Sequence, residues 1–405
     1  MPIRATKRGD ERTPLDGARD VLVCGASFAG LAVARELTGS GADVLIVDRY
    51  EIGERQTSAC GIPTEWLRRL GLMDSERQRF DTLVMHTPHG TSRYRLPWTF
   101  STFDYRQLCQ LLWRDCDATF ETAKVNGRAA APDGSGRIAV ETDRGTISAP
   151  LVVDALGWRR MLASGDGYQP PDAPLSRGLE VHPSGESEDL EIWIDRKYVP
   201  AGYGWSFPAD DELRIGIGSF DPRFHVKDTT VELTQDLGKE PNEYQGNWIP
   251  HKLRTATEGG VFFVGDSAGH CLPLSAEGIR TALYFGMALG QELRGVVAGE
   301  QTREQAAERY ASFHDTHEWK FKWMLRVQKL IPRVPPRILA PLIRLMAGKR
   351  FVDWSFDHYL KIAPPEYAGS KWAASADDQD GAGQQQDDAE DALGAERDLV
   401  QAEKA

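Results

Sequence analysis

No run of 18 apolar residues occurs anywhere in the chain, so nothing in it reads as a membrane-spanning helix. The first 19 residues, Met1 to Arg19, are polar and charged and lack the apolar centre of a secretory signal, which points to a cytoplasmic protein. Cysteine is sparse: five residues, at 24, 60, 109, 116 and 271, with no CxxC pair. That pattern argues against a disulfide framework or a zinc knuckle and fits a reducing compartment. Among the nine histidines only His314 and His317 suggest a ligand pair, one helical turn apart. With no third ligand nearby they read as a surface pair, and no metal site is expected. The one basic run is apolar and aromatic, not a solvated Lys/Arg stripe, so a nucleic-acid partner is unsupported. No internal repeat is found.

What the chain has is room and an ordinary globular composition. At 405 residues, 41% hydrophobic and 27% charged, it can hold two or three domains. Its net charge of −12 is unevenly spread. From Lys371 onward ten acidic residues face three basic ones, in a stretch rich in Asp, Gln, Ala and Gly without apolar periodicity, which reads as disordered. The rest is only mildly acidic, so charge alone names no partner.

Val21 to Cys24 is a short apolar run ended by Gly25, as a buried parallel strand would be. Ala29 to Thr38 has helical composition and stops at Gly39-Ser40-Gly41; Val44 to Val47 then forms a second buried strand ending at Asp48. Between strand and helix lies Gly25-Ala26-Ser27-Phe28-Ala29-Gly30, a GxGxxG with Ser27 in the middle glycine's place. The first glycine permits the tight turn and the last lets helix and strand pack closely. The helix N-terminus offers N–H groups to phosphates, and Asp48 stands where it can accept from ribose hydroxyls. This is a dinucleotide-binding βαβ unit.

Further along, Tyr105 to Arg114 is helical. Strand-like runs cover Thr119 to Val125, Arg137 to Thr142 and Thr146 to Val153, with turns at Asp133-Gly134-Ser135-Gly136 and Asp143-Arg144-Gly145. A β-rich stretch runs from Gly178 to Phe220, Val261 to Gly265 is another buried strand, and a helix is expected from Ala276 to Val297. From Gln301 the pattern is helical, interrupted by Pro332, Pro335, Pro336 and Pro341.

Val264-Gly265-Asp266-Ser267-Ala268-Gly269-His270, followed by Pro273 and Glu277-Gly278-Ile279, resembles the second FAD segment of the para-hydroxybenzoate-hydroxylase superfamily. The variant is most similar to the geranylgeranyl reductase family. Asp104-Tyr105-Arg106 resembles that family's FAD-contacting arginine, and Val153-Asp154-Ala155-Leu156-Gly157 its strand-end Asp-x-x-Gly. Cys60-Gly61 and Tyr203-Gly204-Trp205-Ser206-Phe207-Pro208 are similar to its Cys-Gly pair beside the flavin and its YxWxFP element. The chain departs at Ile62-Pro63, where the reductases continue a glycine run, and at Trp158-Arg159-Arg160.

The resemblance implies an α/β fold in five parts. A Rossmann-type FAD-binding domain takes 19–60, 101–165 and 253–300; an inserted antiparallel β-sheet substrate domain takes 61–100 and 166–252. Helices fill 301–370, and the ends at 1–18 and 371–405 are disordered. It implies a FAD site of Gly25, Ala26, Ser27, Phe28, Ala29, Gly30, Asp48, Arg49, Cys60, Gly61, Arg106, Val125, Asp154, Gly157, Gly265, Asp266, Pro273, Glu277, Gly278 and Ile279. Cys60, Tyr203 and Trp205 then fall to the catalytic side.

Physical chemistry gives the second segment a compatible sense. Asp266 at a strand end is placed to accept from ribityl hydroxyls, or else to cap the following turn. Gly278 at a helix start lets backbone amides approach the flavin's pyrimidine edge, where reduced flavin carries negative charge. No second GxGxxG follows a strand, so NAD(P)H or another reductant must bind transiently. Two reactions are implied by the resemblance: reduction of isoprenoid carbon–carbon double bonds, or single-component monooxygenation of an aromatic or polycyclic natural product. A lone cysteine in apolar surroundings is as often an inert small hydrophobe, so both readings of Cys60 stand.

From Lys320 to Arg350 nine Lys/Arg and no Asp or Glu interleave with apolar residues such as Trp323, Leu330, Ile338 and Leu345. Residues 318–360 read either as interfacial helices docking on an anionic membrane that supplies a prenyl lipid, or as a cover on the flavin domain whose cations snorkel.

Overall fold

The computed structural model describes residues 13–56, 58–129, 136–163 and 175–368; the acidic stretch from Lys371 and the Asp133-Gly134-Ser135 turn lie outside them. A strand apolar on both faces must be covered on both faces. Val21–Cys24, wholly buried, is such a strand. It sits inside a six-stranded sheet ordered Thr257–Glu258, Val261–Phe263, Leu151–Asp154, Val21–Cys24, Val44–Asp48, Thr119–Thr122. Neighbours run parallel except for the edge hairpin at 257–263.

Among the described residues the helices are α1 (Phe28–Leu37), α2 (Thr64–Arg69), α3 (Tyr105–Arg114), α4 (Lys227–Asp236), α5 (Ile279–Val297), α6 (Arg303–Asp315), α7 (Glu318–Leu330), α8 (Pro336–Met346) and α9 (Lys349–Leu360). α1 and α5 cover one face of the sheet and run parallel. Gly286 meets Ala29 and Gly290 meets Val33 and Glu36, so closely that a Cβ would lie 2.7 Å from Ala29 O or 2.5 Å from Glu36 Cβ. The other face is covered by a small sheet of Val125–Arg128, Ile138–Thr142 and Gly145–Ala149, edged by Gly17–Ala18.

Four expectations change. Thr119 to Val125 is two strands in two sheets, Thr119–Thr122 and Val125–Arg128. Thr146 to Val153 likewise divides at Pro150, which has no N–H for a ladder; the chain leaves the small sheet at Ala149 and enters the parallel one at Leu151. The fold takes in residues before 19, since Leu15 is buried and Gly17–Ala18 pairs with Ile147–Ser148. His314 and His317 are not a surface pair: they are 3% and 5% exposed. Tyr310 and His314 share the inward stripe of α6, with Tyr310 donating to Phe263 O and His314 against Phe285, and His317, at the start of α7, packs on Tyr284 and Phe285.

The second sheet has eight strands, ordered Gln245–Pro250, Leu175–Val181, Glu212–Ser219, Gly202–Ala209, Leu190–Trp193, Glu76–Thr87, Gly90–Phe103, Gly61–Pro63. α4 covers one face with Leu233 against Val181, Leu213, Ile215 and Ile217. α8 and α9 close over the remainder, and α7 lies against the segment at Leu272. Phe321 and Met324 pack with Leu272 and Ile362, and Ile343 and Val352 pack with Tyr94.

Candidate active site

In an open parallel sheet, ligands bind beyond the carboxyl ends of the strands where the strand order reverses. Here the chain begins at Val21–Cys24, moves outward to 44–48 and 119–122, then returns to add Leu151–Asp154 on the opposite side. Gly25 and Ala155 emerge together at that switch point. Gly25 has φ 113°, and a Cβ on it would lie 2.3 Å from Ala155 O, so glycine alone fits. Ser27 is the N-cap residue of α1, yet its hydroxyl meets Tyr105 Oη at 3.2 Å and caps nothing. The end of α1 therefore keeps its dipole exposed to a phosphate.

Asp48 braces the turn by accepting from Ala26 N (2.9 Å) and Tyr50 N (3.0 Å). Burial pushes its pKa up and those amides pull it back. Its remaining lone pairs can still accept from a ribose. Arg49 lies over the Tyr50 ring at 4.7 Å. Arg106 is exposed in the first turn of α3, with Gly53 against its backbone. Val125 has its side chain in the core beneath the sheet, which leaves its backbone for any site role. Asp154 is fully buried and accepts from Leu156 N, Leu162 N and Ser267 Oγ at 3.0, 2.8 and 2.6 Å. Its part is to tie the Gly157 loop to the Gly265–Ala268 turn.

Gly265 packs on α1, where its Cβ would be 3.0 Å from that of Ala29. Beside it Asp266 is half-buried, and no hydrogen bond among the described residues reaches its carboxylate. Burial raises its pKa to about 6, with Arg254 pulling the other way. Gly278, the N-cap of α5, carries no side-chain cap; a Cβ there would stand 3.8 Å from Asp266 Oδ1. These residues fit FAD: two parallel helices present uncapped N-termini, glycines leave room for backbone approach, and an unsatisfied carboxylate awaits hydroxyl donors.

The loop between Pro273 and Ile279 is strained and clamped. Leu274 and Ala276 hold φ of 70° and 53°, at a cost of about 1–3 kcal/mol each. Three elements hold it there. Leu274 N donates to Gln328 Oε1 of α7 (2.6 Å), and Tyr203 donates from the sheet to Ser275 O (2.7 Å). Tyr359 of α9 donates to Glu277, which Arg280 grips with two bonds of 2.7 Å.

Tyr203 and Trp205 share one side of their strand, the side that reaches this loop. Trp205 lies across Gly216, where a Cβ would be 2.2 Å from Cζ2, and its Nε1 donates to Glu180 Oε2 at 3.3 Å. From Glu180 a chain of charges continues through His182 (3.1 Å), Glu212 (3.3 Å) and Arg214 (2.8 Å). Arg214 ends it by donating to Ala59 O (2.8 Å) and Phe103 O (3.0 Å). Burial lowers the His182 pKa, but its two carboxylate partners outweigh that and lift it to about 9. Burial raises Glu212, and His182 with Arg214 reverses this to about 2. Cys60 follows Ala59 in the left-handed region, φ 54°, fully buried, with its thiol donating to Ser58 O at 3.1 Å. Burial pushes the thiol well above its usual range, and Arg214 opposes. At Gly61 a Cβ would strike the Phe100 ring at 2.4 Å.

Glu180, His182, Glu212 and Arg214 went unnoticed in the sequence. The signal was there: charged residues two apart on strands whose alternate positions, Val181 and Leu213, are apolar.

Comparison with known proteins agrees with this geometry. The family described as lycopene cyclase protein matches residues 20–193. Digeranylgeranylglycerophospholipid reductase 3 of Methanosphaera stadtmanae is 24% identical over 384 residues, 85% of this chain and 94% of that one. Digeranylgeranylglycerophospholipid reductase 2 of Methanopyrus kandleri is also 24% identical, over 82% and 94%. In structure, a geranylgeranyl bacteriochlorophyll reductase-like protein from Thermoplasma acidophilum superposes with a TM-score of 0.74 at 16% identity, covering 87% of this chain and 98% of that one. A probable FAD-dependent monooxygenase from Pseudomonas aeruginosa scores 0.64 at 16% identity, over 81% and 100%. Over most of its length the chain is thus similar to digeranylgeranylglycerophospholipid reductases, and its fold is that of FAD-dependent oxidoreductases.

Proposed function

We propose that the chain reduces carbon–carbon double bonds in an isoprenoid lipid. The observation that carries this reading is the likeness, over more than four-fifths of the chain, to relatives named for digeranylgeranylglycerophospholipids, on a fold whose glycine turns fit FAD. Within it Cys60, a thiol held neutral by burial, is the candidate proton donor. Bound FAD, once reduced, supplies the hydride. An isolated alkene accepts hydride only as its other carbon gains a proton, which a positioned acid delivers. Cys60 Sγ–H holds that proton. The thiolate left behind lies in the field of Arg214, which the His182–Glu212 pair holds in place, and water restores its proton after product leaves. The faces of Tyr203 and Trp205 wall the reacting region with apolar surface and favour developing positive charge.

Relatives named for digeranylgeranylglycerophospholipids support a prenyl lipid as substrate. NAD(P)H or another reductant reaches the site from solution, in keeping with the single glycine-turn βαβ unit. The test is to incubate anaerobically reduced holoenzyme with geranylgeranyl phosphate and weigh the product. Saturation of at least one double bond supports the reading. Unchanged lipid, together with oxygen insertion into an aromatic compound in air, overturns it in favour of a monooxygenase.

A further inference from the structure

Among the described residues ten large hydrophobic side chains stand exposed, and nine of them lie between Trp319 and Trp354. They follow helical spacing. Trp319, Trp323 and Leu330 share the outward side of α7; Ile338, Leu342 and Leu345 share that of α8; Phe351 and Trp354 mark that of α9. The inward sides are already used, by Phe321 and Met324, by Ala340 and Ile343, and by Val352. The exposed apolar surface is therefore not an unfilled core. Nine Lys/Arg lie from Lys320 to Arg350, and the acids at the margins, Glu318 and Asp353, pair with only Lys322 and Lys349, so the surface is net cationic on a chain whose net charge is −12.

We infer that the outward faces of α7, α8 and α9 dock on an anionic lipid bilayer. Trp, Leu and Ile would sit at the level of the acyl boundary, with Lys and Arg at the phosphates. Charge selects this occupant over a second copy. A two-fold contact through the same face would set this net-cationic segment against itself. The rest of the molecule is acidic, so an anionic surface repels every other approach and orients this one. Docking would also reach the site: Gln328 of α7 and Tyr359 of α9 hold the loop from Leu274 to Glu277. The inference rests on the proposed function for its purpose, not for its geometry.

The experiment uses the full-length holoenzyme and vesicles of phosphatidylcholine with or without one-quarter phosphatidylglycerol. Sedimentation with the anionic vesicles is expected, falling at least tenfold in 0.5 M salt or on neutral vesicles. The triple variant I338S/L342S/L345S, altered only at exposed positions, should lose at least tenfold in binding while keeping its melting temperature and its bound flavin. Equal binding by variant and parent, or no binding to either vesicle, overturns the inference. So does light scattering that shows a dimer which the variant dissolves. Vesicle binding by a protein that reduces no isoprenoid would leave docking standing and sink the proposed function.

Discussion

Trp205 and Glu180 sit on strands that are not neighbours, yet the indole Nε1 reaches Glu180 Oε2 at 3.3 Å because Gly216, paired with both, has no side chain. A cross-strand row of three residues is thereby joined edge to edge. The bond fixes the plane of an aromatic wall and gives Glu180 a second partner beside His182.

Gly216→Ala should break that relationship. The new Cβ would lie 2.2 Å from Trp205 Cζ2 and 2.7 Å from Leu179 O, so either indole or backbone must move. Overpacking of this kind costs about 1–3 kcal/mol. We expect a lower melting temperature, altered tryptophan fluorescence and reduced turnover, with FAD affinity unchanged. Normal turnover in a folded Gly216→Ala protein would show that the indole's position is immaterial.

The same network sets a pH dependence. His182 titrates near 9 when folded and near 6.5 when unfolded, so its stabilisation is complete below pH 6.5 and is lost as pH rises through 9. Glu212 has the opposite sense: its depressed pKa of about 2 gives stability that is full above pH 4.5 and fades as pH falls toward 2. The pair is therefore at full strength between pH 4.5 and 6.5. His182→Gln should remove the alkaline slope, an effect on the order of 1–2 kcal/mol between pH 6.5 and 9. Urea titrations of both proteins at several pH values would measure it; parallel curves above pH 6.5 would exclude His182 as the titrating group.

The two glycine segments were legible as turns at strand ends because their signals are local. Gly25 to Gly30 and Gly265 to Gly278 are short runs in which each residue's role follows from its neighbours. The alternation around Glu180 and Arg214 marked them as sharing one strand face, but not that the face is covered, since a charged residue on a strand reads as solvent-facing until another element packs over it. Asp154 carries a tie that its position at a strand end did not announce, since Ser267, distant in sequence, donates to it. Nor could spacing reveal that Tyr359 returns to Glu277, because the proline-broken helices between them fix no direction.

Asp266 offers the cleanest test of the cofactor site. Its raised pKa means that ionisation is penalised in the folded protein, so without FAD it subtracts stability as pH climbs from 3.8 through 6. Ribityl hydroxyls would donate to the charged form, so FAD should bind more tightly above pH 6 than below it. Asp266→Ala should weaken binding by roughly 10- to 100-fold, as loss of a charge-assisted hydrogen bond of about 1.5–3 kcal/mol would. Fluorescence titration of apoprotein with FAD from pH 5 to 8 reads both effects. A variant that binds FAD as tightly as the parent at every pH would remove Asp266 from the site.

The clamp on the loop separates holding a cofactor from merely folding. Tyr359→Phe deletes the hydroxyl that reaches Glu277 and Ser275 but keeps the ring and the Glu277–Arg280 pair. Because the C-terminal helices stay anchored by Phe321, Met324 and Ile343, the melting temperature should fall by only a few degrees, about 1 kcal/mol. The strained φ at Leu274 and Ala276 would then have one restraint fewer, and the loop would sample relaxed conformations. Gly278 opens α5 directly after that loop, so its amide would be less well placed toward the flavin. The expected signature is a lower flavin reduction potential, since the helix end stabilises the reduced form, with a smaller change in FAD affinity. A potential equal to the parent's, in a protein whose loop is shown to be more mobile by hydrogen exchange, would mean that the clamp serves packing alone.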